Sequence, residues 1–148
     1  MGIIDTVGTK KIYLDTNVFI YALEGFSEFS STLTELFLAI DDSKVQAVTS
    51  ELTLAETLVK PLRDANFPLT EVYKQAIVSG AGLSVVSVNR PILIEAATLR
   101  AAVQLKLPDG IHVATALSTN CDYFLTNDER VKVYGLTTLI LGDFSDTK

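Results

Sequence analysis

Four short acidic segments stand out in the chain: Tyr13-Leu14-Asp15-Thr16-Asn17, Leu54-Ala55-Glu56, Pro108-Asp109-Gly110-Ile111-His112 and Leu125-Thr126-Asn127-Asp128. Each acid follows an apolar run of strand type or opens a helical pattern, the places where an open parallel sheet collects its functional groups. Four carboxylates drawn into one crevice repel one another unless cations bind there. The chemistry this suggests is a divalent-metal site that cuts a phosphodiester bond. In that scheme one or two ions hold the scissile phosphate, lower the pKa of an attacking water and stabilise charge on the leaving oxygen. Mg²⁺ or Mn²⁺ suits a donor set of carboxylate oxygens. A zinc centre does not fit, because His112 is the single histidine and Cys121 the single cysteine.

Each acid also has an ordinary explanation. Asp15, Asp109 and the Thr126-Asn127-Asp128 run could cap helices, since Asp, Asn and Thr satisfy free backbone N–H groups. Thr53-Leu-Ala-Glu56 matches a capping box, although Ser50 is an equally good cap and would place Glu56 inside its helix. The neighbours Leu52, Ala55 and Val59 are expected to be buried beside Glu56. Glu51 competes with it, but its place in the first turn is explained by the helix dipole. Asn17 is expected to hydrogen-bond Asp15 and hold its carboxylate, and the Thr126 hydroxyl to support the site. His112, three residues beyond Asp109, is expected to be a hydrogen-bonded structural residue. Independent caps would not require all four acids at one edge of one sheet.

The elements that must carry these residues alternate in type. Strands are expected at Lys11–Leu14, Gln46–Thr49, Leu83–Val88, Tyr123–Leu125 and Thr138–Leu141. Helices are expected from Asn17 to Leu23, near Thr32–Ile40 with Leu33, Leu36, Phe37 and Ile40 inward, and over Glu51–Val59, where Pro61 disfavours continuation. Further helices are expected over Leu69–Ser79, facing inward with Val72, Ala76 and Ile77, and from Pro91 to about Lys106 with Ile94, Ala97, Ala101 and Leu105 inward. A last helix is expected at Asp109–Thr119. Gly80 and Gly82 break the chain before the third strand. The alternation predicts an α/β fold, a three-layer α/β/α sandwich around a mostly parallel central sheet. One domain is expected over 1–148, with a core of about 10–141 and a polar tail at 143–148.

The composition is consistent with this. Of 148 residues, 48% are hydrophobic, which excludes a disordered chain. No apolar run reaches the length of a membrane span, and the N-terminus lacks a signal-peptide pattern, so a cytoplasmic location is expected. Cys121 reads as a small core or edge residue. The net charge of −6 makes a broad nonspecific duplex binder unexpected. It does not exclude a nuclease: taking four site acids from the eighteen leaves fourteen against twelve basic groups.

In their order and spacing the four segments resemble those of PIN-domain ribonucleases, and most closely the small VapC-like toxins of type II prokaryotic toxin–antitoxin pairs. The resemblance covers roughly residues 10–141. It implies a Rossmann-like fold, dependence on Mg²⁺ or Mn²⁺, and endoribonuclease cleavage of single-stranded or structured RNA. It also implies that Asp15, Glu56, Asp109 and Asp128 are the metal-site acids, Asp15 and Asp109 being the principal ligands, supported by Asn17 and Thr126. A cognate antitoxin and a homodimer are the expected partners, with helices near Ser30–Ile40 and Leu69–Ser79 as the contact surfaces. Gly110 departs from the alanine many relatives carry, and Thr57–Lys60 lacks their Tyr-Gly pair. Lys60, Arg63, Arg130 and Lys132 could hold phosphates, and Tyr21 or Phe26 could stack on a base. Two other classes compete: a protein-binding PIN-like module with weak or lost nuclease activity, and a metal-dependent phosphatase. A Walker-type phosphate loop is absent.

Overall fold

The computed structural model of the chain describes residues 2–132 and 135–145. Five strands form one sheet in the order β3-β2-β1-β4-β5, with every pairing parallel. They are β1 (Lys11–Leu14), β2 (Gln46–Ser50), β3 (Leu83–Val86), β4 (Tyr123–Thr126) and β5 (Thr137–Ile140). The helices are α1 (Ile3–Val7), α2 (Thr16–Leu23), α3 (Ser30–Asp41), α4 (Glu51–Arg63), α5 (Phe67–Ala76), α6 (Arg90–Val103) and α7 (Leu107–Ser118). Short 3-10 turns lie at Ser27–Phe29 and Leu141–Phe144. Among the described residues no helix is long and apolar enough to cross a membrane.

The period-two alternation of the strands divides the core into layers. On β1, Ile12 and Leu14 pack with α1, α2 and α3, while Tyr13 faces the opposite side with Val48, Phe124 and Val113 of α7. The three-layer architecture expected from the sequence is the one observed. The chain leaves β1 toward β2 and β3 on one side and returns to β4 and β5 on the other. The order therefore reverses between β1 and β4, where a crevice opens at the carboxyl ends of the strands.

Several boundaries and faces differ from expectation for local reasons. Helix α1 was not anticipated; Ile3 and Val7 bury it in the core ahead of residue 10. Helix α4 continues through Pro61, which is buried in its final turns. There the ring forfeits one intrahelical hydrogen bond and gains packing. The inward face of α4 is Thr53, Thr57 and Pro61, whereas Ala55 and Val59 are exposed and Leu52 is half-buried. A polar floor explains this: the Thr53 hydroxyl meets that of Thr49 at 2.7 Å, and Thr49 Oγ1 donates to the Leu14 carbonyl. Helix α5 begins at Phe67 because Asn66 caps it, and it turns Thr70 and Tyr73 inward rather than Val72, with Ile77 buried just beyond its end. In α6 the inward residues are Ile92 and Ala96, while Ile94 is exposed. β3 ends at Val86, and β5 lies one residue earlier than expected, so Leu141 opens a 3-10 turn. Of the expected polar tail, residues 146–148 lie outside the described residues.

Two glycines are required by close approach. A Cβ on Gly82 would stand 2.0 Å from the Ile40 carbonyl oxygen. A Cβ on Gly110 would stand 3.0 Å from the Ala96 carbonyl oxygen, so the departure at Gly110 matches the tight packing of α7 on α6.

Candidate active site

The crevice at the carboxyl ends of β1 and β4 is built by the turns that leave them. Asp15 follows the last residue of β1 and caps α2; its Oδ1 accepts from the Thr16 backbone N–H at 2.8 Å. Its Oδ2 accepts from the Thr126 hydroxyl at 2.7 Å. Capping and site roles thus coincide in one buried carboxylate. The same Thr126 oxygen accepts from Asn17 Nδ2 at 3.1 Å and from the Asp128 backbone N–H at 3.0 Å. Asn17 was expected to bond Asp15 directly. It acts one atom further away, through Thr126, because its Oδ1 is taken by the Asn127 N–H and draws the side chain across to the β4 turn.

Glu56 reaches the crevice from within α4, which is capped by Ser50 through the Leu52 N–H. The Thr53–Glu56 capping box is therefore not the one used. Glu56 Oε1 accepts from Thr16 Oγ1 at 2.7 Å and lies 2.6 Å from His112 Nε2. Burial works to raise the Glu56 pKa, but the hydrogen bond and charge of His112 and the Thr16 hydroxyl outweigh it and hold the carboxyl below its ordinary value. His112 Nδ1 lies 2.7 Å from the buried Tyr13 hydroxyl. Burial first, then the Asp15 charge, pushes Tyr13 well above the usual phenol range, so it stays protonated.

Asp109 sits in the first turn of α7 without capping it; the cap position is Lys106, whose side chain makes no capping bond. Its carboxyl is held above the ordinary value by desolvation and then by the charges of Asp15 and Asp128, with Glu56 adding to them and His112 opposing. Asp109 thus lies near enough to Asp15, Asp128 and Glu56 for their charges to raise its carboxyl. Asp128 is held by Arg130, whose Nε and NH2 donate to its two oxygens at 2.8 and 2.7 Å. That pairing, against a small desolvation penalty, sets Asp128 below its ordinary value, with Lys106 also contributing.

The remaining candidates separate. Arg130 engages Asp128, while Lys60, Arg63 and Lys132 are exposed. Tyr21 packs against Phe26 and Phe29, with ring centroids 4.6 and 5.0 Å away. Cys121 is buried, as expected. Sequence reasoning did not single out Tyr13, Thr16 or Lys106 for the site. Only the unusual placement of a tyrosine inside the apolar run before Asp15 could have drawn attention to the first.

Among the described residues no three His, Cys, Asp or Glu side chains converge closely enough to enclose one metal ion. In kind, the donors do suit a hard divalent cation: all four are carboxylates, and the Asp109 carboxyl stays raised by burial and the charges of Asp15 and Asp128 although His112 opposes them.

The sequence pattern of the PIN domain matches residues 12–135, most of the chain. The chain belongs to the PIN domain family. The DNA-bound VapBC structure from Salmonella typhimurium contains a similar chain, with a TM-score of 0.71 and 19% identity over 90% of this chain and 99% of that one. VapBC2 from Rickettsia felis, bound to a fragment of its promoter, gives 0.68 and 16% over 88% and 98%. A toxin–antitoxin complex from Klebsiella pneumoniae gives 0.63 and 22% over 86% and 96%. These likenesses are ones of fold. No curated protein matches the chain in sequence.

Proposed function

We propose that this PIN domain is an endoribonuclease dependent on Mg²⁺ or Mn²⁺, acting in the cytoplasm as the toxin of a toxin–antitoxin pair. The observation that carries the reading is Asp109 at the switch point of a parallel sheet, whose carboxyl is raised first by burial and then by the charges of Asp15, Asp128 and Glu56. Asp15 and Asp109 would be the principal ligands, and Glu56 and Asp128 would complete the set. A divalent ion bound there supplies positive charge to a scissile phosphate and acidity to a water. The chain's own part is orientation: Thr126 and Thr16 fix Asp15, and Asn17 fixes Thr126. Family membership supports nuclease chemistry and a divalent metal; RNA as substrate rests on the resemblance of the four motifs.

An antitoxin partner is supported by the complexes in which the similar folds occur. A cavity of about 500 Å³ between α2, α3 and the end of α5, lined by Phe19, Leu33, Phe37 and Leu83, offers it an apolar seat. The exposed Leu38 and Val72, on α3 and α5, would contribute to a homodimer face.

The test is cleavage of a pool of single-stranded and structured RNAs with Mg²⁺, Mn²⁺ or EDTA, beside Asp15→Asn. Cleavage should require metal and be lost in the variant while its melting transition persists. Full activity in Asp15→Asn would overturn the site assignment. A second reading, a protein-binding module with little nuclease activity, is favoured by one observation: Glu56 and Asp128 are already paired with His112 and Arg130. Folded protein that binds an antitoxin but cuts no RNA would support it. Metal-dependent hydrolysis of p-nitrophenyl phosphate without RNA cleavage would instead indicate a phosphatase.

A further inference from the structure

His112 does more than satisfy the core, and we propose that Tyr13 and His112 form a positioning pair that fixes Glu56 for metal binding. The proposal rests on the metal-site reading above and assigns roles to two residues outside the four acids.

Three elements meet in this chain of contacts. Tyr13 lies on β1, His112 on α7 and Glu56 on α4. Tyr13 and His112 are 0% and 1% exposed, whereas the Glu56 side chain is 33% exposed. The imidazole is therefore clamped in the interior and the carboxylate reaches the crevice. The tyrosine ring is itself held, stacked on Phe124 at 5.0 Å and edge-on to His112 at 5.8 Å.

Tyr13 Oη and His112 Nδ1 share a hydrogen bond of 2.7 Å, and on the other side of the ring Nε2 donates to Glu56 Oε1 at 2.6 Å and lies 3.2 Å from Thr16 Oγ1. Thr16 donates to the same oxygen. Among the described residues, both hydrogen bonds to Glu56 fall on Oε1, which fixes the carboxylate from one oxygen. Outer partners that orient a ligating carboxylate typically change metal affinity or activity by about 10–100-fold when removed. A histidine that merely filled the core would leave metal affinity unchanged when replaced by an apolar residue of similar size.

Three variants separate these roles. His112→Leu removes the bonds to Tyr13, Glu56 and Thr16 and keeps apolar volume. His112→Gln can return a donor near the position of Nε2. Tyr13→Phe deletes only the hydroxyl and preserves the ring stacking. Mn²⁺ affinity, measured by electron paramagnetic resonance, should fall about 10–100-fold in His112→Leu, recover largely in His112→Gln and fall several-fold in Tyr13→Phe. In the metal-free protein, imidazole ¹⁵N shifts should show the proton on Nε2, and Tyr13→Phe should alter the Nδ1 shift. Wild-type Mn²⁺ affinity in folded His112→Leu, or in Tyr13→Phe should His112→Leu not fold, overturns the proposal. An Nε2 that carries no proton in the wild type overturns it as well. Wild-type protein that binds no Mn²⁺ overturns the metal-site reading, and the positioning role with it, even when Nε2 carries its proton.

Discussion

Thr126 is the residue whose single hydroxyl carries the most structure in this site, and Thr126→Val isolates it. The side chain is fully buried, and valine has nearly its shape. The substitution removes one donor, to Asp15 Oδ2, and one acceptor that serves both Asn17 Nδ2 and the Asp128 N–H. Losing a hydrogen bond to a charged group costs about 1.5–3 kcal/mol. The two donors left behind are partly exposed and can turn to water, so each adds about 0.5 kcal/mol. The expected loss is about 3 kcal/mol, or about 10 °C in melting temperature for a domain of this size. Urea denaturation in EDTA measures it, with Thr126→Ser recovering most of the loss. Repeating the pair in an Asp15→Asn background closes a double-mutant cycle, with an expected coupling of about 1–2 kcal/mol. A Thr126→Val protein within about 0.5 kcal/mol of wild type would show that this hydroxyl does not hold Asp15.

Three further outcomes are expected. Asp109→Asn should raise the melting temperature of metal-free protein at neutral pH, because a carboxyl whose folded pKa is raised costs stability above that pKa. The gain should shrink as pH falls through the window between the raised and the ordinary values, and saturating Mg²⁺ should reverse it; a gain independent of pH would contradict the repulsion argument. Arg130→Ala should leave the melting temperature nearly unchanged, since Arg130 is exposed, yet return the Asp128 carboxyl toward its ordinary value in a ¹³C titration. Gly82→Ala should destabilise by about 3 kcal/mol or more in chemical denaturation, because its Cβ would meet backbone rather than a movable side chain.

The layer order and the positions of the strands were legible because β1, β3 and β4 hold short apolar runs and α2, α4, α5, α6 and α7 open on a capping side chain or a proline. The faces of α4, α5 and α6 were less so. In each, more than one apolar stripe fits helical spacing, and the choice belongs to the surface beneath. Thr49 and the Leu14 carbonyl draw threonines inward on α4. Tyr73 turns α5 because its hydroxyl finds Glu24. On α6, Ala96 faces Gly110 of α7, where the backbones come so close that a Cβ on the glycine would stand 3.0 Å from the Ala96 carbonyl oxygen. Hydrophobic periodicity records none of these partners.

The acids themselves were readable, but the way the protein lives with them was not. Four carboxylates in one crevice seemed to demand cations from outside. Three of them instead draw on protein donors, some next to them in the chain and some distant. Asp15 takes donors from Thr16 and Thr126, Glu56 takes them from Thr16 and His112, and Asp128 takes a bidentate arginine. Asp109 has no such hydrogen bond among the described residues, and burial together with the charges of Asp15 and Asp128 raises its pKa. The metal-free site is thus balanced at three positions and strained at one. An arriving cation gains most from Asp109, while it must compete with Arg130 for Asp128. This asymmetry predicts that Asp109 dominates the affinity for a first ion, and that removing Arg130 strengthens binding rather than weakening it. Calorimetric Mn²⁺ titrations of Asp109→Asn and Arg130→Ala decide the matter. Weaker binding in Arg130→Ala would mean that the arginine orders Asp128 for the metal instead of withholding it.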